Sequence, residues 1–315
     1  HELIDGIHYE DEVEKLFQQQ EPELSRIPSR RLHAEEGFFK KLLTFYRPQI
    51  AYLVAEGLIV PGQSGRRPGQ RPTVGAETLG ALLRACRKRK KVKAVVLRIN
   101  SSGGSALASD LIWRELYLTN QEKPVIISFG SVAASGGYYL ATAARHILGM
   151  PATLTGSIGV IHGKFNLREA LAKIGITVDR IAKGRHAGYS SPLRPFSGEE
   201  IVLIQKQMKE FYEELFLKKV AKSRGKSIDS IRRLAEGRLW TGAQAVTNGL
   251  IDRSGGLCEA LELARQEAGL SKRKRFRVTS YGRRRSLRDL FSFTLAGEAL
   301  EDQVLALMPE ELNIR

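Results

Sequence analysis

From Leu53 to about Ala264, short apolar runs alternate with amphipathic stretches. Ile50 to Val60 predicts a strand region. Ala76 to Arg87 predicts a helix, because Leu79, Leu82 and Leu83 recur at the spacing that one helical face collects. Lys93 to Asn100 holds the dense run Ala94-Val95-Val96-Leu97, the pattern of a strand buried on both faces. A helix is expected from about Ser105 to Leu118, a strand from Pro124 to Phe129, then a glycine-containing turn and a helix near Ser135 to Ala144. Strands alternating with helices imply a layered α/β core with a mainly parallel sheet.

Around that core the pattern changes. Pro61 to Thr73 is rich in Gly, Pro and Arg and reads as an exposed loop. Residues 18–49 read as a linker with a helical section, 50–268 as the α/β domain, and 269–315 as a basic segment followed by an amphipathic tail from Glu298 to Leu312. Residues 1–17 carry an internal echo: Leu3, Ile4, Asp5, Glu12 and Leu16 superpose without a gap on Leu250, Ile251, Asp252, Glu259 and Leu263. A chance match between two strand–turn–helix units is one explanation. The other is that the chain opens with the closing element of an upstream repeat.

Charge adds less than its size suggests. Over 315 residues the net charge is +16, much of it in the runs Arg87–Lys91, Lys272–Arg275 and Arg283–Arg285. No nucleic-acid motif or regular aromatic interleaving accompanies these runs, so specific nucleic-acid binding is not expected. A solvated basic face is the plainer reading, with attraction to an anionic membrane surface second. No segment is long and apolar enough to span a bilayer. Cys86 and Cys258 lack partners at metal-ligand spacing and read as buried or half-buried thiols; neither a metal site nor a cofactor is expected.

The chemistry concentrates in two glycine-bearing turns, each between an apolar strand and a helix: Arg98-Ile99-Asn100-Ser101-Ser102-Gly103-Gly104-Ser105, and Gly130-Ser131-Val132-Ala133-Ala134-Ser135-Gly136-Gly137-Tyr138-Tyr139. A serine at a strand-to-helix turn exposes its hydroxyl. Glycines beside it let a carbonyl approach backbone N–H groups, and such donors form an oxyanion hole. Either turn alone is explained by tight strand–helix packing; the two in succession point to a site.

The stretch Ser131 to Tyr139 resembles the nucleophile motif of the signal peptide peptidase A (protease IV) family, and Asn100-Ser101-Ser102-Gly103-Gly104 is similar to that family's oxyanion loop. Leu154 to Val160, Gly237 to Gly242 and Asn248 to Asp252 match further family signatures, so the resemblance runs from about Leu53 to Leu263. It implies a ClpP/crotonase-like fold and peptide-bond hydrolysis through an acyl-enzyme on Ser135. Gly136 and one of Gly103 or Gly104 would supply the oxyanion donors. It also implies hydrophobic peptide substrates such as released signal peptides, a ring-like oligomer (a tetramer for the long form), and association with a bacterial inner or thylakoid-type membrane.

Two positions depart from the family pattern. Ser102 replaces a proline and removes no donor. Ala187 stands where the family's general-base lysine belongs, in Gly184-Arg185-His186-Ala187-Gly188, and an alanine cannot take a proton. Three explanations follow: an upstream repeat or partner chain supplies the lysine; a lysine has been replaced; or Lys183, Lys164 or His186 has taken over. The first also accounts for the N-terminal echo. The rival to a peptidase is a silent scaffold or peptide-binding subunit of the same fold. An acyl-CoA enzyme is disfavoured, because the turns present a serine where such enzymes use carboxylates.

Overall fold

The structure is a computed structural model that describes residues 47–65, 71–271 and 276–281. The N-terminal echo, most of the linker, the basic runs at 272–275 and 283–285 and the tail from Glu298 lie outside the described residues.

Six strands form the spine of the main sheet, in the order β10 (Arg277–Ser280), β1 (Gln49–Glu56), β4 (Val92–Ser101), β5 (Val125–Ala134), β6 (His146–Gly149) and β9 (Arg253–Ser254). All neighbours on this path run parallel. The end of β5 also pairs with β7 (Leu154–Gly156), which pairs antiparallel with β8 (Leu239–Thr241). The architecture is therefore mixed α/β with a mostly parallel sheet and flanking helices.

Side-chain alternation explains the layering. Ala51, Leu53, Val95, Leu97, Ile99, Ile127 and Phe129 point to one core, shared with α1 (Ala76–Lys88), α2 (Ala106–Glu122) and α3 (Gly136–Ala141). Their neighbours Ile50, Tyr52, Ala94, Val96 and Ile126 point to the other, capped by Ala260, Leu261 and Ala264 of the helix Leu257–Glu267. A strand with a core on both faces must be apolar at successive positions, which is the run seen in β4.

The expected strand Ile50 to Val60 is two strands. The chain breaks at Gly57, where φ is +90° and an added Cβ would stand 1.8 Å from the Pro72 carbonyl oxygen. After this bend, β2 (Leu58–Val60) pairs parallel with β3 (Thr73–Gly75). The helix expected at Ser135 to Ala144 is shorter, with Ser135 as its N-cap residue, and β5 extends from Val125 through Ala134, beyond the Phe129 end expected. The sheet also takes in β10, past the domain end expected at 268. Among the described residues no helix is long and apolar enough to cross a membrane, and no group of His, Cys, Asp or Glu is placed to hold a metal ion.

Candidate active site

Two strand ends build the site. The register between β4 and β5 shifts between Ile99 and Ser101, where Ile99 pairs with Phe129 but Ser101 pairs with Ala133. The slack is taken up by Asn100, whose side-chain oxygen accepts from the Val132 N–H at 3.2 Å. Beyond it β5 swings onto β7 and ends at Ala134; the N–H of the next residue, Ser135, donates to the Gly156 carbonyl at 2.9 Å.

Ser135 has φ +50° and ψ −118°. A side-chain-bearing residue in that region is strained, and persists where its surroundings over-determine it. Here they do: the strand precedes it, α3 follows, and the Tyr139 N–H donates to the Ser135 carbonyl at 2.8 Å. Gly103, at φ +106°, lies against this elbow; an added Cβ would sit 2.8 Å from both the Ser135 Cβ and the Gly136 nitrogen. A Cβ on Gly136 would sit 3.3 Å from the Gly104 nitrogen and the Gly103 Cα, and 2.5 Å from the Ser109 hydroxyl. Ser135, Gly136, Gly103 and Gly104, read from two separate motifs, are thus brought together.

The two glycines of the first loop are not equivalent. The Gly103 N–H donates to the Ser101 hydroxyl at 3.1 Å, and its carbonyl accepts from the Ile59 N–H at 2.9 Å. The Ser105 N–H donates to the Ile59 carbonyl at 2.9 Å, so β2 straps the loop on both sides of Gly104. The Gly104 nitrogen lies between these bonds and close to Gly136, in the first turn of α3, whose own leading N–H groups have no intrahelical acceptor.

Ser135 opens into a cleft of about 1110 Å³. Its walls include Leu107 from α2, Val160 and Ile161 after β7, Ile204 and Met208 from the helix Gly198–Glu210, and Phe211, Tyr212, Leu215 and Phe216 from the π-helical segment Phe211–Leu217 that continues it. A π-helical segment inside an α-helical run is a recurrent feature of functional sites. Ser157, a second strained serine at φ +47°, and Gly237 close one side.

Ala187 lies half-buried in the turn 184–190, its N–H donating to the Gly184 carbonyl at 3.2 Å. It does not line the cleft, although Tyr189 does. Nor do the three stand-ins. Lys183 and His186 are exposed. Lys164 donates to the Tyr189 carbonyl at 2.7 Å and stands 4.2 Å from the Phe196 ring centre; desolvation, then nearby Arg194, pushes its pKa down. Lys209, which does line the cleft, is exposed.

The packing residues have clear tasks. The Tyr138 ring is fully buried and its hydroxyl donates to the Leu250 carbonyl at 2.7 Å. The Trp240 indole donates to the Leu234 carbonyl at 2.9 Å, its ring against Gly156. Three residues of the cleft wall and one behind it lay beyond the sequence reading: Asp110 with its partner Lys219, taken up below, and His162 and Tyr189, whose rings stack at 6.0 Å with 3.2 Å between the Tyr189 hydroxyl and His162 Nε2. His162 lies two residues past the Leu154–Val160 signature, a local hint.

Comparison with known proteins now adds a decisive observation. A putative protease of Synechocystis is 35% identical over 199 residues, which cover 62% of this chain and 72% of that relative. The profile described as peptidase family S49 matches residues 118–271, from the end of α2 through Ser135 to the helix Leu257–Glu267. The chain belongs to peptidase family S49. Its layered α/β architecture is the ClpP/crotonase-like fold of that family. The S49 chain is also 38% identical to the chloroplastic serine protease SPPA of Arabidopsis thaliana, over 99% of its own length and 47% of that protein's. It is 32% identical to Protease 4 of Salmonella typhi, over 99% of its length and 48% of that relative's. It therefore spans about half the length of these two relatives.

Proposed function

We propose that this chain is the nucleophile-bearing half of a serine endopeptidase that cleaves hydrophobic peptides, released signal peptides among them. One observation carries the reading: a strained Ser135 at a strand-to-helix elbow, in van der Waals contact with a glycine loop from the neighbouring strand.

In this reading the Ser135 hydroxyl oxygen attacks the peptide carbonyl carbon as its proton passes to a base, and the oxyanion accepts from backbone N–H groups. Gly136 supplies one. Gly104 is better placed than Gly103 for the other, since the Gly103 N–H is engaged by Ser101. Collapse breaks the C–N bond, the amine leaves with the proton, and water then hydrolyses the ester on Ser135. The base is a lysine from an upstream repeat or a partner chain. Support comes from Ala187, and from an arm whose apolar residues lack cover within the described chain: Ile161, Phe165, Ile174 and Ile181 are all exposed. A second repeat or subunit in a ring-like assembly, a tetramer in the long form, would cover them. The exposed Lys88, Arg89 and Lys90 of the basic run would hold such an assembly near an anionic membrane of the bacterial inner-membrane or thylakoid type.

Ala187 equally favours a second reading, a silent peptide-binding subunit of the same fold. Labelling with a fluorophosphonate separates the two. Ser135 modified in the full-length protein, but not in this 315-residue chain alone, is the expected result. No labelling in either preparation favours the silent subunit, and full activity of the lone chain would overturn the shared-base account.

A further inference from the structure

An ion pair that the mechanism does not use has its carboxylate, Asp110, in the wall of the cleft that Ser135 lines. Asp110 on α2 follows Ser109, the residue whose hydroxyl sits where a Gly136 side chain would be. Tyr139 lies one turn beyond Ser135 on α3, and its hydroxyl donates to Asp110 Oδ1 at 2.6 Å. Lys219, from the helix Lys218–Arg224 that continues the π-helical segment, donates to the same Asp110 oxygen and, at 2.7 Å, to the Tyr139 hydroxyl. Its ammonium also stands 3.5 Å from the Trp113 ring centre.

The cation and the anion of this pair are placed differently. Asp110 and Tyr139 line the cleft, whereas Lys219 does not. The Asp110 side chain keeps 34% of its surface exposed and that of Lys219 only 16%. Burial first, and then the hydrogen bond to Asp110, push the Tyr139 phenol far above its ordinary range, so the phenol stays a donor and carries no charge. The neighbouring cleft walls are Leu107, Ile204, Met208, Phe211 and Leu215. The arrangement is a carboxylate on a largely apolar stretch of the cleft wall, paired with an ammonium that does not itself line the cleft; Lys209 and Glu236 are the other Asp, Glu, Lys or Arg side chains of the lining. Charge on a wall that a bound peptide covers is screened less once water is displaced, so whether it is balanced decides which side chains can be desolvated against it.

We propose that the Asp110–Lys219 pair sets the specificity of a subsite in the cleft that Ser135 lines: with the pair intact this stretch of wall is neutral, and the subsite admits uncharged side chains and rejects basic ones. This rests on the reading that the cleft binds peptide, and Lys219 acts through Asp110 as a specificity-determining residue. It predicts opposite changes from the two halves of the pair. Lys219→Met bares the carboxylate and shifts preference toward Lys and Arg; Asp110→Asn leaves the lysine unbalanced and shifts it toward Asp and Glu.

The test uses the full-length protein and a peptide library varied one position at a time. For Lys219→Met, kcat/KM for basic peptides relative to leucine peptides is expected to rise about tenfold or more at one position; Lys219→Arg is expected to keep the parent preference, and Lys219→Met with Asp110→Asn to lose the gain. The same pairs are run as fluorescence-anisotropy binding in the Ser135→Ala background, which needs no catalysis. Loss of cleavage in the parent with a shifted binding preference in Lys219→Met would sink the peptidase reading and leave the subsite standing. A uniform loss across all peptides in the variants would reduce the pair to a structural cross-link and overturn the proposal. So would the absence of peptide binding in both parent and variant.

Discussion

Gly103 and Ser135 approach so closely that a methyl group on Gly103 would lie 2.8 Å from the Ser135 Cβ. The contact joins two turns thirty-two residues apart in the chain (135 − 103 = 32) and makes one site of them. Gly103→Ala is therefore expected to push the elbow away from the loop, and its φ of +106° disfavours any side chain as well. Loss of a single oxyanion donor typically lowers kcat by about 100-fold or more. A loss of that size in Ser135 labelling rate or peptide hydrolysis by the full-length protein is the expected result; an unchanged rate would show that the loop does not serve the chemistry.

Strain at Ser135 makes a stability prediction. At φ +50° and ψ −118° glycine is at ease and alanine is not. Ser135→Gly and Ser135→Ala should both abolish labelling, yet the glycine variant should be the more stable of the two by roughly 1 kcal/mol. Thermal unfolding followed by circular dichroism measures the difference; a more stable alanine variant would remove the case for strain at the elbow.

Glu200 gives the pH dependence. Hydrogen bonds from the Arg194 guanidinium, then from the Ser197 N–H, hold its carboxyl down at about 2. An unfolded glutamate titrates near about 4.3. A depressed folded value means that the stabilisation is complete above the unfolded value and disappears as pH falls through the folded one. The melting-temperature gap between the parent and Glu200→Gln should thus be widest above about pH 5 and close progressively toward about pH 2. A gap that does not change across that window would remove the ion pair as its cause.

The two thiols should separate cleanly. Cys86 is fully buried, and burial pushes its pKa up to about 11, whereas Cys258 is exposed, contrary to the sequence expectation of two covered thiols. The thiolate is the reactive form. One thiol per chain should react with a disulfide reagent at pH 8 in the native state, and the second only after unfolding; two fast thiols would contradict the packing around α1.

The α/β layering was legible because β4 carries apolar residues at consecutive positions, and only a strand with a core on each face requires that. The two glycine turns that the sequence singles out do come together around Ser135, whereas Ala187 lies off the cleft that Ser135 lines. What escaped was less local. The break at Gly57 depends on the Pro72 carbonyl, fifteen residues along (72 − 57 = 15), and the overlong β5 depends on its partner β7.

Sequence by itself determined the strand and helix pattern and the serine turn with its glycines, since each is written in residue types over a few adjacent positions. Tertiary structure alone decided that the Gly103 N–H is taken up by Ser101 while the Gly104 nitrogen lies close to Gly136, and that Lys219 reaches Asp110 from 109 residues away. The reason is geometric. A hydrogen bond or an ion pair is fixed by the register between strands and the packing of helices on them, and no local pattern of residues encodes which distant partner that packing delivers.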